Sequence, residues 1–529
     1  AGKEIASLSE SGRNRRKLTG YIYVNYPDGS TSYSPGDSMY ISWSASGLSG
    51  SYVTIYLVQG TSFVQELNSI ILASTGSYTA TLSSSLAAAT DYSVIIYDYW
   101  DSDTYGYSAD FTIQGWNSWQ QTTKLVANDG LDWDHFGFSV AEIESGDMIL
   151  VGARDDNDDT TGTYNTGSAY LFTLLSDSGW TQGTKLSSTN SLEGDFFGYS
   201  LAFLTSELVA ISARDYDSSD NTDTGAVYFM TLSSSGGSWS QEHYFYGHST
   251  EMYFGNCVSS VATDILLVGA YGTDSAYVLS RSTDGTWSQM AQLEGSDTES
   301  DDRFGYSVLG GSNPNFALVG APWNGDSVLS TGAAYLFTQA SGGTWTETVK
   351  LTAASPEYND CFGYSMSGKL QEGYFVVGSG FIDGDGIDDA GGSYVFSLVG
   401  SSWNQVAELR VSDAETDDHW ARTNGLLGFD SGRVLMSTYE SNVVVDGRGP
   451  VCVFSQQSGG SWVEHYERIT STDIETEDAF GTILSGSFTT GNLWVGSKYH
   501  DNGDIEEAGA VYGFNVKVSE CNVHGDCNS

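Results

Sequence analysis

The sequence predicts an all-β chain, an N-terminal immunoglobulin-like β-sandwich followed by a seven-bladed β-propeller. Three observations predict it. Apolar and polar residues alternate along short segments bounded by Gly, Asn, Asp and Pro, which is the period of strands and excludes long helices. Seven tryptophans, Trp119, Trp180, Trp239, Trp287, Trp345, Trp403 and Trp462, recur 48 to 61 residues apart, and a repeat of this length fits one four-stranded propeller blade. Residues 19–114 carry a different, non-repeating set of short strands.

Within each repeat the Trp strand leads to an apolar residue, as from Trp119 to Leu125 or from Trp403 to Leu409. An acidic loop follows, then Phe-Gly: Phe136-Gly137, Phe197-Gly198, Phe254-Gly255, Phe304-Gly305, Phe362-Gly363 and Phe480-Gly481, with Trp420-Ala421 in the sixth copy. The next strand ends in Val-Gly-Ala or a near variant, such as Val151-Gly152-Ala153 or Val377-Gly378-Ser379. A third strand reads like Ala169-Tyr170-Leu171-Phe172. Over roughly 116–517 this pattern resembles the FG-GAP repeat family, which includes the propeller of integrin α subunits. In that family Phe-Gly opens the innermost strand and the Trp strand is the outer edge of a blade. The chain ends its last copy on a third strand, so the resemblance implies that Trp119–Leu125 completes the last blade, closing the ring and removing exposed sheet edges.

Residues 19–114 contain the turns Pro27-Asp28-Gly29 and Ser34-Pro35-Gly36-Asp37. The strands Tyr40–Trp43, Val53–Leu57, Tyr78–Leu82, Tyr92–Tyr97 and Phe111–Ile113 lie among and after them. About seven short strands around Trp43, with no cysteine, predict the sandwich. The run of motifs resembles the Kre9/Knh type of Ser/Thr-rich cell-wall domain, a family associated with fungal and protist surfaces and β-glucan assembly. At the other end, 518–529 contains Cys521-Asn-Val-His-Gly-Asp-Cys527, which resembles the opening of an EGF-like module. Two cysteines are too few for a whole module, so the chain either continues past Ser529 or pairs Cys521 with Cys527. The expected domains are therefore a basic arm over 1–18, the sandwich over 19–114, the propeller over 115–517 and a short tail or module start over 518–529.

Composition narrows the function. Of 529 residues, 67 are acidic and 20 basic, a formal charge of −47. Such a field repels nucleic acid and anionic membranes, and no segment is apolar for the ~20 residues a spanning helix needs. An extracellular, secreted or cell-surface location is expected. No Asn-x-Ser/Thr sequon occurs among abundant Ser and Thr, so any glycan on this protein would be O-linked.

Several side-chain sets are candidates for chemistry. Phe381-Ile382-Asp383-Gly384-Asp385-Gly386-Ile387-Asp388-Asp389 resembles a calcium loop, with Asp383, Asp385 and Asp389 spaced as oxygen ligands. Phe381 stands where the first ligand belongs, and an acidic surface turn is an equally good reading. Asp155, Asn157 and Asp159, Asp215 and Asp217, and Asp501 and Asp504 read as solvated turns. An Asp two residues before the blade aromatic, at Asp134, Asp195, Asp302, Asp360, Asp418 and Asp478, reads as a turn-setting side chain rather than a ring of cation ligands. Cys257, Cys361 and Cys452 replace residues of the blade template and read as buried free thiols. Tyr97, Tyr99, Trp100, Tyr105 and Tyr107 crowd one late loop of the sandwich. They either form a sugar-binding platform or pack into the core, and the core reading is slightly favoured.

No Gly-x-Ser-x-Gly or His-Glu-x-x-His is present, and the seven His residues are scattered. The expectation is a protein that does not catalyse. The leading reading is a structural subunit of a surface fibre, appendage or wall-associated layer. The other is a monomeric adhesin or lectin that binds cell-wall or surface glycans, with calcium as a candidate cofactor. In the leading reading the partner is another copy, joined head to tail, or a different surface protein. Arg13, Arg15, Arg16 and Lys17 would meet acidic loops of the neighbour while Ile5, Leu8 and Leu18 are buried there.

Overall fold

A computed structural model describes residues 20–516 except 29–31, 34–37, 61, 84–85, 87–88, 114–118, 158–161, 234–236, 313–314, 326–329, 384–386, 423–424, 431, 439–449, 458–459, 466–467, 476 and 488–489. The chain divides into two compact units, Ala1–Trp116 and Asn117–Ser529. The arm residues Ile5, Leu8, Arg13, Arg15, Arg16, Lys17 and Leu18, and the cysteines Cys521 and Cys527, lie outside the described residues.

The first unit is a sandwich of nine described strands: β1 Tyr21–Tyr26, β2 Ser32–Tyr33, β3 Ser38–Ser46, β4 Tyr52–Gln59, β5 Ser62–Leu72, β6 Ser77–Thr81, β7 Ala89–Asp98, β8 Asp101–Tyr107 and β9 Phe111–Ile113. One sheet has the order β1-β3-β6; the other runs β2-β9-β7-β4-β5, with β8 also paired to β7. Alternate residues fill the space between them: Met39, Ile41 and Trp43 from β3, Val53, Ile55 and Leu57 from β4, and Tyr92, Val94 and Ile96 from β7. This is the period-2 pattern read from the sequence, one face in and one face out. The Trp43 indole N–H, which burial would otherwise leave unpaired, donates to the Ala73 carbonyl at 3.1 Å.

The second unit holds seven four-stranded antiparallel sheets among the described residues. Blade 1 runs from Phe136–Glu142 inside to Gly179–Leu186 outside, blade 2 from Phe197–Thr205 to Trp239–Tyr246, and blade 3 from Val258–Ala262 to Trp287–Leu293. Blade 4 runs from Ser307–Gly311 to Trp345–Leu351, blade 5 from Ser365–Lys369 to Ser402–Leu409, and blade 6 from Leu426–Asp430 to Trp462–Glu464. Blade 7 contains Phe480–Ser487, Asn492–Ser497 and Ala510–Val516, and its fourth strand is β10, Trp119–Leu125. Trp119 pairs with Val516 and Leu125 with Val511, so the start of the propeller closes its end. The first strand of each blade packs against that of the next, all the way round.

Two recurring devices explain the motifs. At the entry to six of the seven inner strands the Asp accepts a backbone N–H three residues upstream: Asp134 from Leu131, Asp195 from Leu192, Asp302 from Glu299, Asp360 from Glu357, Asp418 from Glu415 and Asp478 from Glu475, at 2.6–2.8 Å. These carboxylates set turns, as their recurrence implies. Between blades, backbones approach so closely that a Cβ on Gly320 would sit 2.2 Å from the Gly363 carbonyl oxygen. Only glycine fits there. In the sixth copy Trp420 keeps the bridge to the preceding blade, opposite Gly391, while Ala421 takes the left-handed backbone (φ 63°) that glycine supplies elsewhere.

Candidate functional site

The outer face of the larger sheet in the first unit carries a row of aromatic rings. On β4 the residues between the core positions are Thr54, Tyr56 and Val58; opposite them on β7 stand Ile95 and Tyr97. Tyr105 of β8 pairs with Tyr97, and Tyr107 with Ile95. Phe63 of β5 stands opposite Val58. The register therefore places Phe63, Tyr56, Tyr97, Tyr105 and Tyr107 on one face across four neighbouring strands. Successive ring centroids are 5.5, 6.1, 5.5 and 5.7 Å apart. Beneath them Thr54, Val58 and Ile95 are buried, so the rings stand on a packed floor.

Phe63 is 49% exposed, Tyr105 41% and Tyr107 43%. At the β7–β8 turn Tyr99 and Trp100 stand edge to face with centroids 5.0 Å apart, and Trp100 is 69% exposed. Asp98 fixes this turn by accepting the Trp100 N–H at 3.0 Å and the Ser49 N–H at 2.5 Å. Gly50 lies under the indole: a Cβ there would meet Trp100 Cδ1 at 2.2 Å. Partial burial raises the Tyr56, Tyr97 and Tyr107 phenols above their ordinary value, which keeps them neutral donors at physiological pH.

This corrects the slight preference for core packing at Tyr97, Tyr99, Trp100, Tyr105 and Tyr107. Residues 101–107 form a strand rather than a loop, and the hairpin sets its aromatic face outward. Tyr56 and Phe63 are further members of the row that the sequence reading missed. Tyr56 sits out of phase with Val53, Ile55 and Leu57 on its own strand, which signals the face it occupies. Phe63 joins the row only through a pairing register that the sequence does not print.

The other candidates fall as follows. Asp383 Oδ1 accepts the Asp389 N–H at 2.9 Å, and Asp389 has φ 51°. The same closure recurs between Asp217 and Asp223 (2.8 Å), Asp501 and Glu507 (2.8 Å), and Asn157 and Asn165 (2.9 Å). Asp385 and Asp159 lie outside the described residues. Among the described residues no group of three or more His, Cys, Asp or Glu is placed to hold a metal ion. Asp155 and Asp215 are not simply solvated: they pair with Arg154 at 2.9 Å and Arg214 at 2.6 Å. Cys257, Cys361 and Cys452 are free thiols, Cys361 and Cys452 buried as expected but Cys257 only half-buried. Burial pushes Cys257 and Cys361 up to about 12, so neither is a thiolate nucleophile near neutral pH.

No helix among the described residues is long and apolar enough to cross a membrane. No curated protein matches the chain. Solved structures of similar fold include a putative 6-phosphogluconolactonase from Bacteroides uniformis (9% identity, 81% of this chain and 98% of that one, TM-score 0.44). They also include the periplasmic gluconolactonase PpgL of Pseudomonas aeruginosa (11%, 81% and 98%, TM-score 0.43). A functionally unknown protein from Desulfotomaculum acetoxidans matches at 8% identity over 64% of this chain and 86% of its own, with a TM-score of 0.39. Two of these titles name enzymes. The expectation that the chain does not catalyse is corrected accordingly: lacking a familiar catalytic motif does not exclude an activity. At these identities the likeness concerns fold alone and passes no activity to this chain.

Residues 119–172, 180–230 and 287–337 match the FG-GAP repeat, and residues 26–113 match the Kre9/KNH-like N-terminal Ig-like domain. FG-GAP repeats generally serve protein–protein interaction, and together the two domain types suggest an extracellular or cell-wall protein with protein or carbohydrate interactions. The chain thus joins a Kre9/KNH-like Ig-like domain to a propeller that carries FG-GAP repeats.

Proposed function

We propose that this chain binds a wall or surface polysaccharide through the aromatic row of its Ig-like domain. The observation that carries the reading is the alignment of Phe63, Tyr56, Tyr97, Tyr105 and Tyr107 across four strands of one sheet. Exposed aromatic faces with neutral phenol groups suit sugars, whose C–H faces stack and whose hydroxyls need hydrogen-bond partners. Interplanar angles of 69°, 70°, 51° and 89° between successive rings make a ridged surface. A crystalline sugar surface would meet ring edges, whereas a single chain can follow the rings. A wall β-glucan is the first ligand to try, given the domain type. The test is calorimetric titration of the chain with soluble β-glucans. Tyr97→Ala with Tyr105→Ala should weaken binding at least about tenfold, as loss of central aromatic anchors does at other interfaces. Equal binding by the double variant, or no binding of any wall polysaccharide, would overturn the reading.

A second reading, a subunit of a surface fibre or layer, is supported by charge. Five of the 20 basic residues lie in 1–18, against a strongly acidic remainder. The two readings are compatible, because the aromatic row and the arm are separate segments.

A further inference from the structure

Where the inner strands begin and the second strands end, the residues flanking Phe-Gly and those following Val-Gly-Ala form a nearly continuous circuit of rings and cations. Phe138 and Tyr199 approach to 5.1 Å between centroids, Tyr253 and Tyr271 to 5.0 Å, and Tyr271 and Tyr306 to 5.4 Å. Tyr306 and Tyr364 follow at 4.7 Å, and Tyr364 and Phe381 at 5.7 Å. Five cations are threaded through it. Arg154 lies 4.0 Å from the Phe138 centroid, Arg214 4.8 Å from Tyr199, Arg303 5.3 Å from Tyr271, Arg422 4.8 Å from Phe381 and Lys498 5.8 Å from Phe138. Residues 19–529 contain only fifteen Lys and Arg. A third of them gather here, beside the carboxylates Asp155, Asp215, Asp223 and Glu251.

The phenols add hydrogen-bond donors. Arg214 Nη1 donates to Tyr199 Oη at 3.1 Å, which leaves the Tyr199 proton to point onward. Tyr306 and Tyr364 share a hydrogen bond of 2.8 Å, so one proton of that pair is also left over. Burial raises Tyr306 well above its ordinary value and holds Tyr271 at about 12. These groups therefore stay protonated and can donate but carry no charge. Arg154 and Arg214 are balanced by Asp155 and Asp215, whereas Arg303 is held against the Tyr271 ring. A mouth of donors, aromatic faces and cations is complementary to a small ligand with a negative group on a partly apolar body.

We propose that this mouth binds an acidic sugar, a uronate or sulfated residue of an extracellular glycan, with its ring against Tyr271 and Tyr306 and its charge toward Arg303. A dense polyanion is disfavoured, because the −47 body would repel it. A sugar carrying one charge among neutral hydroxyls is not, and an acidic peptide is the outcome the test must separate. The site is distinct from the aromatic row, which bears no cation.

The test is calorimetric titration of the full chain with glucuronate, galactose 4-sulfate, glucose and triglutamate. Glucuronate or galactose 4-sulfate should bind at least about tenfold more tightly than glucose and triglutamate, and the better of the two identifies the acid group. Arg303→Gln should weaken that binding about tenfold and Arg303→Lys less, while Tyr97→Ala with Tyr105→Ala leaves it unchanged. Thermal melts establish that the variants fold. If Arg303→Gln does not fold, the salt dependence of the native chain decides, since affinity resting on these cations falls as ionic strength rises. No binding of either acid, equal binding of glucose, tighter binding of triglutamate, or affinity indifferent to both Arg303 and salt would overturn the proposal.

Discussion

Ser139 of blade 1 donates its hydroxyl to the carbonyl oxygen of Gly198 in blade 2, at 2.7 Å. The bond recurs from Ser307 to Gly363 at 2.7 Å, from Ser365 to Ala421 at 2.6 Å and from Ser437 to Gly481 at 2.6 Å. Each latches an inner region of one blade to the Phe-Gly turn of the next, or to its Trp420-Ala421 counterpart in the sixth copy. Cys257 holds the equivalent place in blade 3, with Sγ 3.5 Å from the Gly305 oxygen, a weaker donor at longer range. Ser307→Ala should cost about 1–3 kcal/mol, the penalty for stripping a buried acceptor of its partner. Cys257→Ser should be stabilising by up to about 1 kcal/mol. Denaturant unfolding of both variants checks this; a neutral Ser307→Ala would show that the latch is dispensable.

Acid should act on the entries to the inner strands. Burial pushes the carboxyls of Asp195 and Asp360 up to about 6. Each therefore holds a proton in the folded chain that the unfolded chain has already released at pH 5. Where the folded state binds more protons, stability falls as pH rises. These two groups should thus contribute stability below about pH 4 that is lost by about pH 6. Asp195→Asn with Asp360→Asn keeps an acceptor for the Leu192 and Glu357 N–H groups and cannot titrate. Its melting temperature should vary less between pH 4 and 6 than that of the parent, and an identical pH profile would refute the assignment.

The calcium question has an equally direct measurement. Asp383 already serves as the acceptor that closes its loop on Asp389, as Asp217 and Asp501 do in their blades. A carboxylate in that role still has lone pairs for a cation, and Asp385 would be the further ligand. If the three bind calcium, adding calcium should raise the melting temperature and excess chelator lower it, because a ligand bound only by the folded state stabilises it by mass action. Asp385→Asn should abolish the effect. A melt unchanged by both additions would leave the loop as a structural turn.

How much of this was legible in the sequence follows from where the information resides. The blades were, because Trp, Phe-Gly and Val-Gly-Ala each mark a place where neighbouring backbones must approach or pair, and seven copies reinforce one another. Ring closure by Trp119–Leu125 followed from the strand order that the FG-GAP resemblance implies, set against a last copy that ends on a third strand. The Asp134-type turns were legible for the same reason of recurrence. The aromatic row was not, since it depends on the register among β5, β4, β7 and β8. The circuit of rings and cations was invisible for a different reason. Arg154, Arg214, Tyr271 and Lys498 occupy one repeat position in different blades, yet they differ in kind, so no motif announces them until the ring brings them together.

The last expectation concerns the arm. Residues 1–18 carry Lys3, Arg13, Arg15, Arg16 and Lys17, while residues 19–529 hold 65 acidic against 15 basic residues. An arm of one copy would therefore be drawn to the body of another. Exposed ion pairs are worth about 0–1 kcal/mol each, so charge alone gives a weak, salt-sensitive contact. Durable assembly needs Ile5, Leu8 and Leu18 to be buried as well, for instance as a strand added to the neighbour's sheet. Such a head-to-tail contact does not close on itself and propagates as a filament. Deleting residues 1–18 should abolish assembly while the two domains still unfold at their usual temperature. Ile5→Asp with Leu8→Asp should do the same without removing the charges, and raised salt should loosen the parent only in part. Mass measurement of native material reads all three. A discrete monomer for the parent, or unchanged fibres from the truncated chain, would remove assembly through the arm.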